Sequence, residues 1–285
     1  MVSRFRSARP LALTIAAVHT YAISLDREGL ADDLIVGAGR GDTPFGLYIL
    51  DAESPYSTLA RGIEQDVFYE TFGNTPDLLA AEYGPYEDAS FFVCVVDHQR
   101  RRPAGMIRVI GPSPRGFKSL DDLARRWDQP FEHLAAHSGL AVDLTSMWDL
   151  ATLGVDAEYR GAATSGLVAM ALYQGLNMLS HRQGIKWAVA VLDLVVLDLI
   201  NGAWGRPFAP LPGIEPRRYL ESPASQPVIC DAVDYKARLA LLDPSTHQIL
   251  FEGIGLESMV SIPAWTATDP VSADLAPLPA LRPAS

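Results

Sequence analysis

The sequence has two cysteines among 285 residues, no apolar run long enough to span a bilayer, no internal repeat and no basic stripe. Each shortage excludes something. Cys94 and Cys230 each lie in an apolar, strand-like run, away from any Cys/His spacing that suits zinc, so both are expected to be reduced core thiols of a cytoplasmic protein. The six histidines are scattered. Only His133 and His137 share a helical face, without an acidic third ligand or an HExxH frame, so no metal is expected. The most apolar stretch, 187–200, is interrupted by Asp193 and Asp198 and falls short of the ~20 residues a spanning helix needs. With 23 basic against 34 acidic residues the formal charge is −11, and nucleic acid is not an expected partner. Arg100–Arg102 and Arg125–Arg126 read as solvated charges. Near the start, Arg4, Arg6 and Arg9 followed by the apolar residues 11–18 imitate a secretory signal, but the apolar run is short, and a basic arm or a first strand fits as well.

What is present is ample apolar material. At 30.9 kDa and 48% apolar residues, the chain can bury one large core or two closely packed ones. Helical spacing predicts helices over 56–72, 120–137 and 167–181, and a short one over 194–202. Strands are predicted at 48–51, 91–97, 105–110, 147–155 and 187–193, the second and third forming a hairpin. Pro76 breaks the first helix through Thr75, leaving Glu82, Tyr83, Tyr86 and Glu87 in a loop. Past Trp204 the texture turns to prolines and short strands near 227–230 and 249–251. Residues 263–285 are a Pro/Ala-rich tail without periodicity.

The most informative stretch is 147–166. A strand ending in Val155 feeds an acidic turn, then Tyr159-Arg160-Gly161 and small residues that open an apolar helix. Backbone N–H groups left unpaired at that helix start converge on one spot, which suits a pyrophosphate or similar anion.

Hairpin, strand, small-residue turn, long helix, strand and short helix, in that order, resemble the GNAT N-acyltransferase superfamily. Asp149 stands six positions before Val155, and Tyr159-Arg160-Gly161 is similar to the turn of that family. Trp148-Asp149 at the strand entrance, Gly105-Met106-Ile107-Arg108 in the hairpin and the acidic Glu64-Gln65-Asp66-Val67-Phe68 are similar to features of acyl-homoserine-lactone and N-acyl amino acid synthases. The likeness covers roughly 56–202. It implies an α/β protein with a mixed, mostly antiparallel central sheet flanked by helices. An N-terminal extension (1–45) would precede an acyltransferase-like domain (46–262, core motif 91–202) with a C-terminal β-rich elaboration.

The resemblance implies transfer of an acyl group from a phosphopantetheine thioester, either acyl-CoA or acyl-carrier protein, to the amine of a small acceptor such as an amino acid. No metal enters, and a homodimer is allowed. Leu153, Val155, Arg160, Gly161, Ala163, Ser165 and Gly166 would hold the donor. The phosphate loop of the family runs Arg/Gln-x-x-Gly-x-Gly/Ala, whereas the small positions here are Ala163 and Ser165, with Gly166 one place late. Alanine and serine keep backbone N–H groups farther from an anion than glycine does. The tyrosine that serves many members as general acid, on the helix after the next strand, is missing from 193–202.

Acyl transfer to an amine needs a proton acceptor and a stabilised oxyanion. Asp149 is the expected base, directly or through a water. Its structural alternative is an ion pair with Arg108 that fixes strand register; Arg108 would also suit an acceptor carboxylate. Trp148 would be a pocket wall or a core aromatic, and Glu82 part of an acceptor-covering lid. A fold of this kind also serves proteins that bind a ligand without transferring anything, or that perform other chemistry on a small metabolite. Both alternatives remain open at the level of sequence.

Overall fold

The computed structural model describes residues 27–161, 164 and 166–263. The basic and apolar N-terminal stretch, most of the Pro/Ala-rich tail, and Ala163 and Ser165 of the small-residue turn lie outside the described residues. Helix α1 (Arg27–Ala38) is followed by β1 (Phe45–Asp51), α2 (Ser57–Phe72) and α3 (Pro76–Tyr83). Next come the hairpin β2 (Ser90–Asp97) and β3 (Arg102–Ile110), then α4 (Lys118–Trp127) and α5 (Phe131–Ser138). The central unit is β4 (Met147–Val155), α6 (Leu167–Arg182), β5 (Trp187–Asp193) and α7 (Leu194–Ala203). The chain then forms β6 (Ala209–Pro210), β7 (Arg217–Tyr219), β8 (Ser222–Asp231), α8 (Ala232–Leu242), α9 (Pro244–His247) and β9 (Val260–Ser261).

The strands form one sheet in the order β6-β8-β5-β4-β3-β2-β1-β9, with β7 added to β8. Pairing is antiparallel except at β4–β5 and β1–β9. This is the mixed, mostly antiparallel sheet expected. Side-chain alternation explains its two apolar faces. Phe91, Val93 and Val95 of β2 pack toward α6, while Phe92, Cys94 and Val96 pack toward α1 and α2. Both faces are covered, so β2 is buried along its whole length.

Several expectations are corrected. The single helix over 120–137 is two helices, because Asp128 is left-handed at φ 55° and Pro130 cannot supply the N–H a continuing helix requires. The helix α2 is ended by Gly73, left-handed at φ 72°, rather than by Pro76, which begins the next helix. It occupies the first turn of α3, whose Leu78 N–H is capped by the Thr75 hydroxyl, so Glu82 and Tyr83 stand on a helix rather than in a loop. Ile249–Phe251 lies in a π-type turn, Gln248–Glu252, and not in a strand. The C-terminal elaboration carries β6, β7 and β8 together with α8, whose first turn is capped by the Asp231 carboxylate. Among the described residues no helix is long and apolar enough to cross a membrane.

Two irregularities place the site. Strands β4 and β5 pair only from Met147 to Asp149 against Trp187 to Val189. Beyond that they diverge, because β5 follows β8 along its full length while β4 follows β3. The register also jumps from Arg108↔Thr152 to Val109↔Leu150. Ala151 is therefore the extra residue of a β-bulge at the start of the divergence, where the ladder is locally open.

Candidate active site

The wedge between the diverging strands opens into a cavity of about 700 Å³. Leu150, Ala151, Thr152, Leu153 and Val155 of β4 form one wall, and Val191, Leu192 and Asp193 of β5 the other. At one end stand Tyr159, Arg160, Gly161 and Gly166. Gly161 and Gly166 adopt φ of 57° and 76°, and a Cβ on either would meet nothing within 4 Å. These positions favour glycine for backbone conformation rather than for lack of space. Tyr159 pins the turn by donating from its hydroxyl to Asp97 (3.0 Å), and Thr164 donates to the Tyr159 carbonyl (2.7 Å). Arg160 donates from Nε to the Val155 carbonyl at 2.6 Å, which ties its guanidinium to the end of β4. Five of the seven residues expected to hold the donor, Leu153, Val155, Arg160, Gly161 and Gly166, thus come together on the cavity wall.

On the side of α2, α3 and α4 the surroundings are polar and buried. Arg108 is fully buried. Its Nε and Nη2 donate to the two oxygens of Glu64 (2.9 and 2.7 Å), and Nη1 donates to Glu87 (2.7 Å). Thr152, on the cavity wall, donates to the same Glu64 carboxylate at 2.5 Å. Tyr83 also lines the cavity, with the Arg108 guanidinium 5.2 Å and the Lys118 ammonium 4.9 Å from its ring centre. Burial pushes its phenol well above the ordinary range, and the neighbouring Glu64 adds to this. Lys118 donates to Asp122 (2.5 Å), Glu82 (3.0 Å) and the Tyr219 hydroxyl (2.7 Å).

Asp149 is fully buried, and its carboxylate accepts from the Ser119 N–H and the Ser119 hydroxyl, both at 2.7 Å. It thereby caps the first turn of α4 from another strand. Burial nevertheless raises its pKa to about 6, against the Ser119 bonds that favour the ionised form.

Several expected placements change. The Asp149–Arg108 ion pair does not form: Asp149 stands opposite Ile110 and Arg108 opposite Thr152, and each reaches different partners. The guanidinium edge expected to take an acceptor carboxylate is occupied by Glu64. Trp148 packs against Phe91 at 5.2 Å between ring centres within the core on the α6 side, and is not on the cavity wall. Glu82 pairs with Lys118, Arg125 and Arg126, which ties α3 to α4 instead of covering a ligand.

On the side of α6 and α7 the cavity is apolar, with Met170, Leu176, Val196, Ile200, Trp204 and Phe208 among its lining. Tyr173, Trp204, Tyr219 and Thr152 carry no motif in the sequence, and only the fold brings them to one place. Among the described residues no group of three or more His, Cys, Asp or Glu is arranged to hold a metal ion.

No protein-family model matches the chain. No curated protein matches it either. Among solved structures, FeeM, an N-acyl amino acid synthase from uncultured soil microbes, matches with a TM-score of 0.52 and 15% identity over 71% of this chain and 99% of that one. BjaI, a CoA-dependent acyl-homoserine lactone synthase seen with SAM and isopentyl-CoA, matches at TM-score 0.48 and 18% identity over 78% and 93% of the two chains. A putative N-acetyltransferase from Lactobacillus plantarum matches at TM-score 0.44 and 11% identity over 66% and 99%. Identities this low speak to architecture alone, and with the FeeM superposition beside the bulged, diverging strands, the chain has the GNAT fold.

Proposed function

We propose that this protein is an N-acyltransferase that moves an acyl group from a phosphopantetheine thioester to the amine of a small acceptor. The observation that carries the reading is the β4–β5 wedge: an apolar cavity of about 700 Å³ ending at Arg160, Gly161 and Gly166. A helix start offers N–H groups and a partial positive charge to phosphates, and Arg160 adds a full one. The apolar interior suits an acyl chain, and the open backbone at the Ala151 bulge supports a thioester carbonyl whose oxygen gains charge during attack.

Acyl-CoA is the donor favoured here over an acyl-carrier protein. An acidic carrier needs a basic docking face. Arg100 pairs with Glu158, Arg101 with Asp32, and Arg102 with Asp156, so the most basic loop is neutralised by the chain itself.

The acceptor enters from the polar side, past Tyr83 and Thr152. Its amine attacks the thioester carbon, the C–S bond breaks, and the thiolate leaves while one ammonium proton passes to a base. Asp149 is proposed as that base through an intervening group. It is not on the cavity wall, whereas Tyr83, whose phenol feels the charges of Glu64, Asp122 and Asp149, lines the cavity and is the group proposed to intervene. Mass analysis of products after incubation with mixed acyl-CoA and amine pools tests the proposal: a product heavier by one acyl group supports it, and no transfer across a broad panel refutes it. A second reading, a protein that binds the thioester without transferring it, is favoured by the displacement of Asp149 from the wall and by the Glu64 carboxylate that occupies Arg108. Donor binding without turnover would select it.

A further inference from the structure

A second cavity lies apart from the wedge and shares no lining residue with it. It sits where the end of α6, the outer side of α8 and the π-type turn meet. Its volume is about 350 Å³, toward the small end of ligand sites, which span about 300–1,000 Å³. Val233, Ala237 and Phe251 are among its apolar lining, and Lys236, His181 and His247 among its polar groups.

Lys236 differs from the other helical bases. Lys118 and Arg126 each meet Asp122, and Arg238 meets Asp234, at a spacing of four residues. The positions three and four residues from Lys236 are Ala232, Val233, Leu239 and Ala240, and none carries a charge. Among the described residues its ammonium forms no ion pair; it donates to His181 Nε2 at 3.0 Å and stands 5.6 Å from the Phe251 ring centre. The neighbouring acids are engaged elsewhere. Asp231 caps the first turn of α8, Asp234 faces Arg238 at 3.5 Å, and Glu252 faces His247 Nδ1 at 3.4 Å. Nor does Lys236 cap α6, because the carbonyls of Leu179, Ser180 and His181 accept from the N–H groups of Gln183, Ile185 and Gly184. An ammonium has three donors, and only one is used. The other two stand beside an aromatic pair in which His247 stacks on Phe251 at 5.3 Å.

We propose that this cavity is a second ligand site, and that it takes a small carboxylate with an aromatic body. The carboxylate accepts from Lys236 in a charge-assisted bond, and the body lies against Phe251 and Val233, where ring contact and apolar burial hold it. The site is independent of acyl transfer, which stands or falls on the wedge.

Calorimetric titration with hydrocinnamate tests this, with the alcohol and the amine of the same carbon skeleton as controls. The wild-type protein is expected to bind the acid, to bind the alcohol about tenfold more weakly, and not to bind the amine. In Lys236→Gln the acid should fall to the level of the alcohol. Lys236 is partly exposed, so that variant should keep its melting temperature. Two further variants locate the ligand. Ala237→Trp fills the second cavity from an exposed position and should abolish binding of the acid, whereas Ala203→Trp, in the wedge, should leave it intact. Absence of acid binding by the wild-type protein at millimolar concentration overturns the proposal, as does an acid affinity unchanged in Lys236→Gln. Acid binding that survives in Ala237→Trp, or that is lost in Ala203→Trp, places the ligand elsewhere and overturns it too. Each of those outcomes leaves the reading of the wedge as an acyl-transfer site untouched.

Discussion

The two sides of the β4–β5 wedge are built on opposite principles. Toward α2, α3 and α4 lies a buried ionic lattice, in which Arg108, Glu64, Glu87 and Thr152 join one set of bonds and Lys118, Asp122, Glu82 and Tyr219 another. Toward α6, α7 and α8 lies an apolar cluster that holds the Tyr173 hydroxyl, without a hydrogen-bond partner among the described residues. The difference teaches where rigidity and selectivity reside. A buried charge network has one satisfied arrangement and tolerates the loss of no member, whereas an apolar wall adapts to volume at modest cost. Under the proposed function the first side fixes the acceptor geometry and the second measures the donor.

Arg108→Met tests the stronger half of that contrast. Removing the guanidinium leaves Glu64 fully buried without its counter-charge, and a loss of about 3–5 kcal/mol is expected in urea unfolding. On the opposite side, Ile200→Val should cost only about 0.5–1.5 kcal/mol. Similar losses for the two would erase the distinction.

Asp149 belongs to the polar side, and its expected behaviour is of opposite sign. A carboxyl raised from its ordinary 3.8 to about 6 by burial favours folding in its protonated form. That stability is fully present below about pH 4 and is lost as pH rises through 6. Asp149→Asn keeps the shape and can still bond to Ser119, so it should stabilise the protein by about 2–3 kcal/mol at neutral pH, with the gain vanishing in acid. Turnover should fall about a hundredfold or more, while donor affinity is kept. In the wild type, activity should rise with pH through about 6, and the variant should lack that limb. Full turnover in a stabilised Asp149→Asn would make Asp149 only the cap of α4.

Much of the frame was legible in the sequence, and most of the polar side was not. Strands 147–155 and 187–193 and the helix beginning at 167 are read at their observed starts, because apolar runs stop at Asp193 and at the glycines Gly161, Gly166 and Gly184. Leu153, Val155, Arg160, Gly161 and Gly166, expected to hold the donor, share one cavity wall because they lie close together in the chain. Glu64 and Arg108 lie 44 residues apart, and no local pattern pairs them. Asp149 and Arg108 sit on neighbouring strands and look like the nearer pair, but the bulge at Ala151 shifts the register between them. Thr75-Pro76 reads equally as the end of one helix and the start of the next. Tyr173 is spaced like any core aromatic of an amphipathic helix, and only the cavity distinguishes it.

The apolar side can be reshaped without touching the lattice. Ala203, on α7, lines the cavity, and Ala203→Trp would fill part of it while the polar side keeps its bonds. Long-chain donors should lose about ten- to a hundredfold in kcat/KM, the worth of one or two misfitted methylenes, while acetyl transfer stays near its starting value. Equal losses for long and short chains would show that the acyl group does not occupy this side.

The smallest expected effect lies at the proposed phosphate end, which belongs to neither side. Among the described residues Arg160 makes one side-chain hydrogen bond, to the Val155 carbonyl, and is exposed, so Arg160→Ala should leave the melting temperature nearly unchanged. Under the proposed function its charge acts on the donor phosphates from the surface. The KM for acyl-CoA should rise about three- to tenfold at low salt, a charge-assisted contact worth about 1 kcal/mol, with kcat little affected. Added salt screens that contact over a Debye length of about 10 Å at 0.1 M, so wild type and variant should converge as ionic strength rises. A salt-independent difference would mean that Arg160 shapes the turn after β4 through its bond to Val155 and does not touch the phosphates. The donor would then be held by the backbone of the α6 start and the apolar wall, and selectivity would rest all the more on the α6–α7 side.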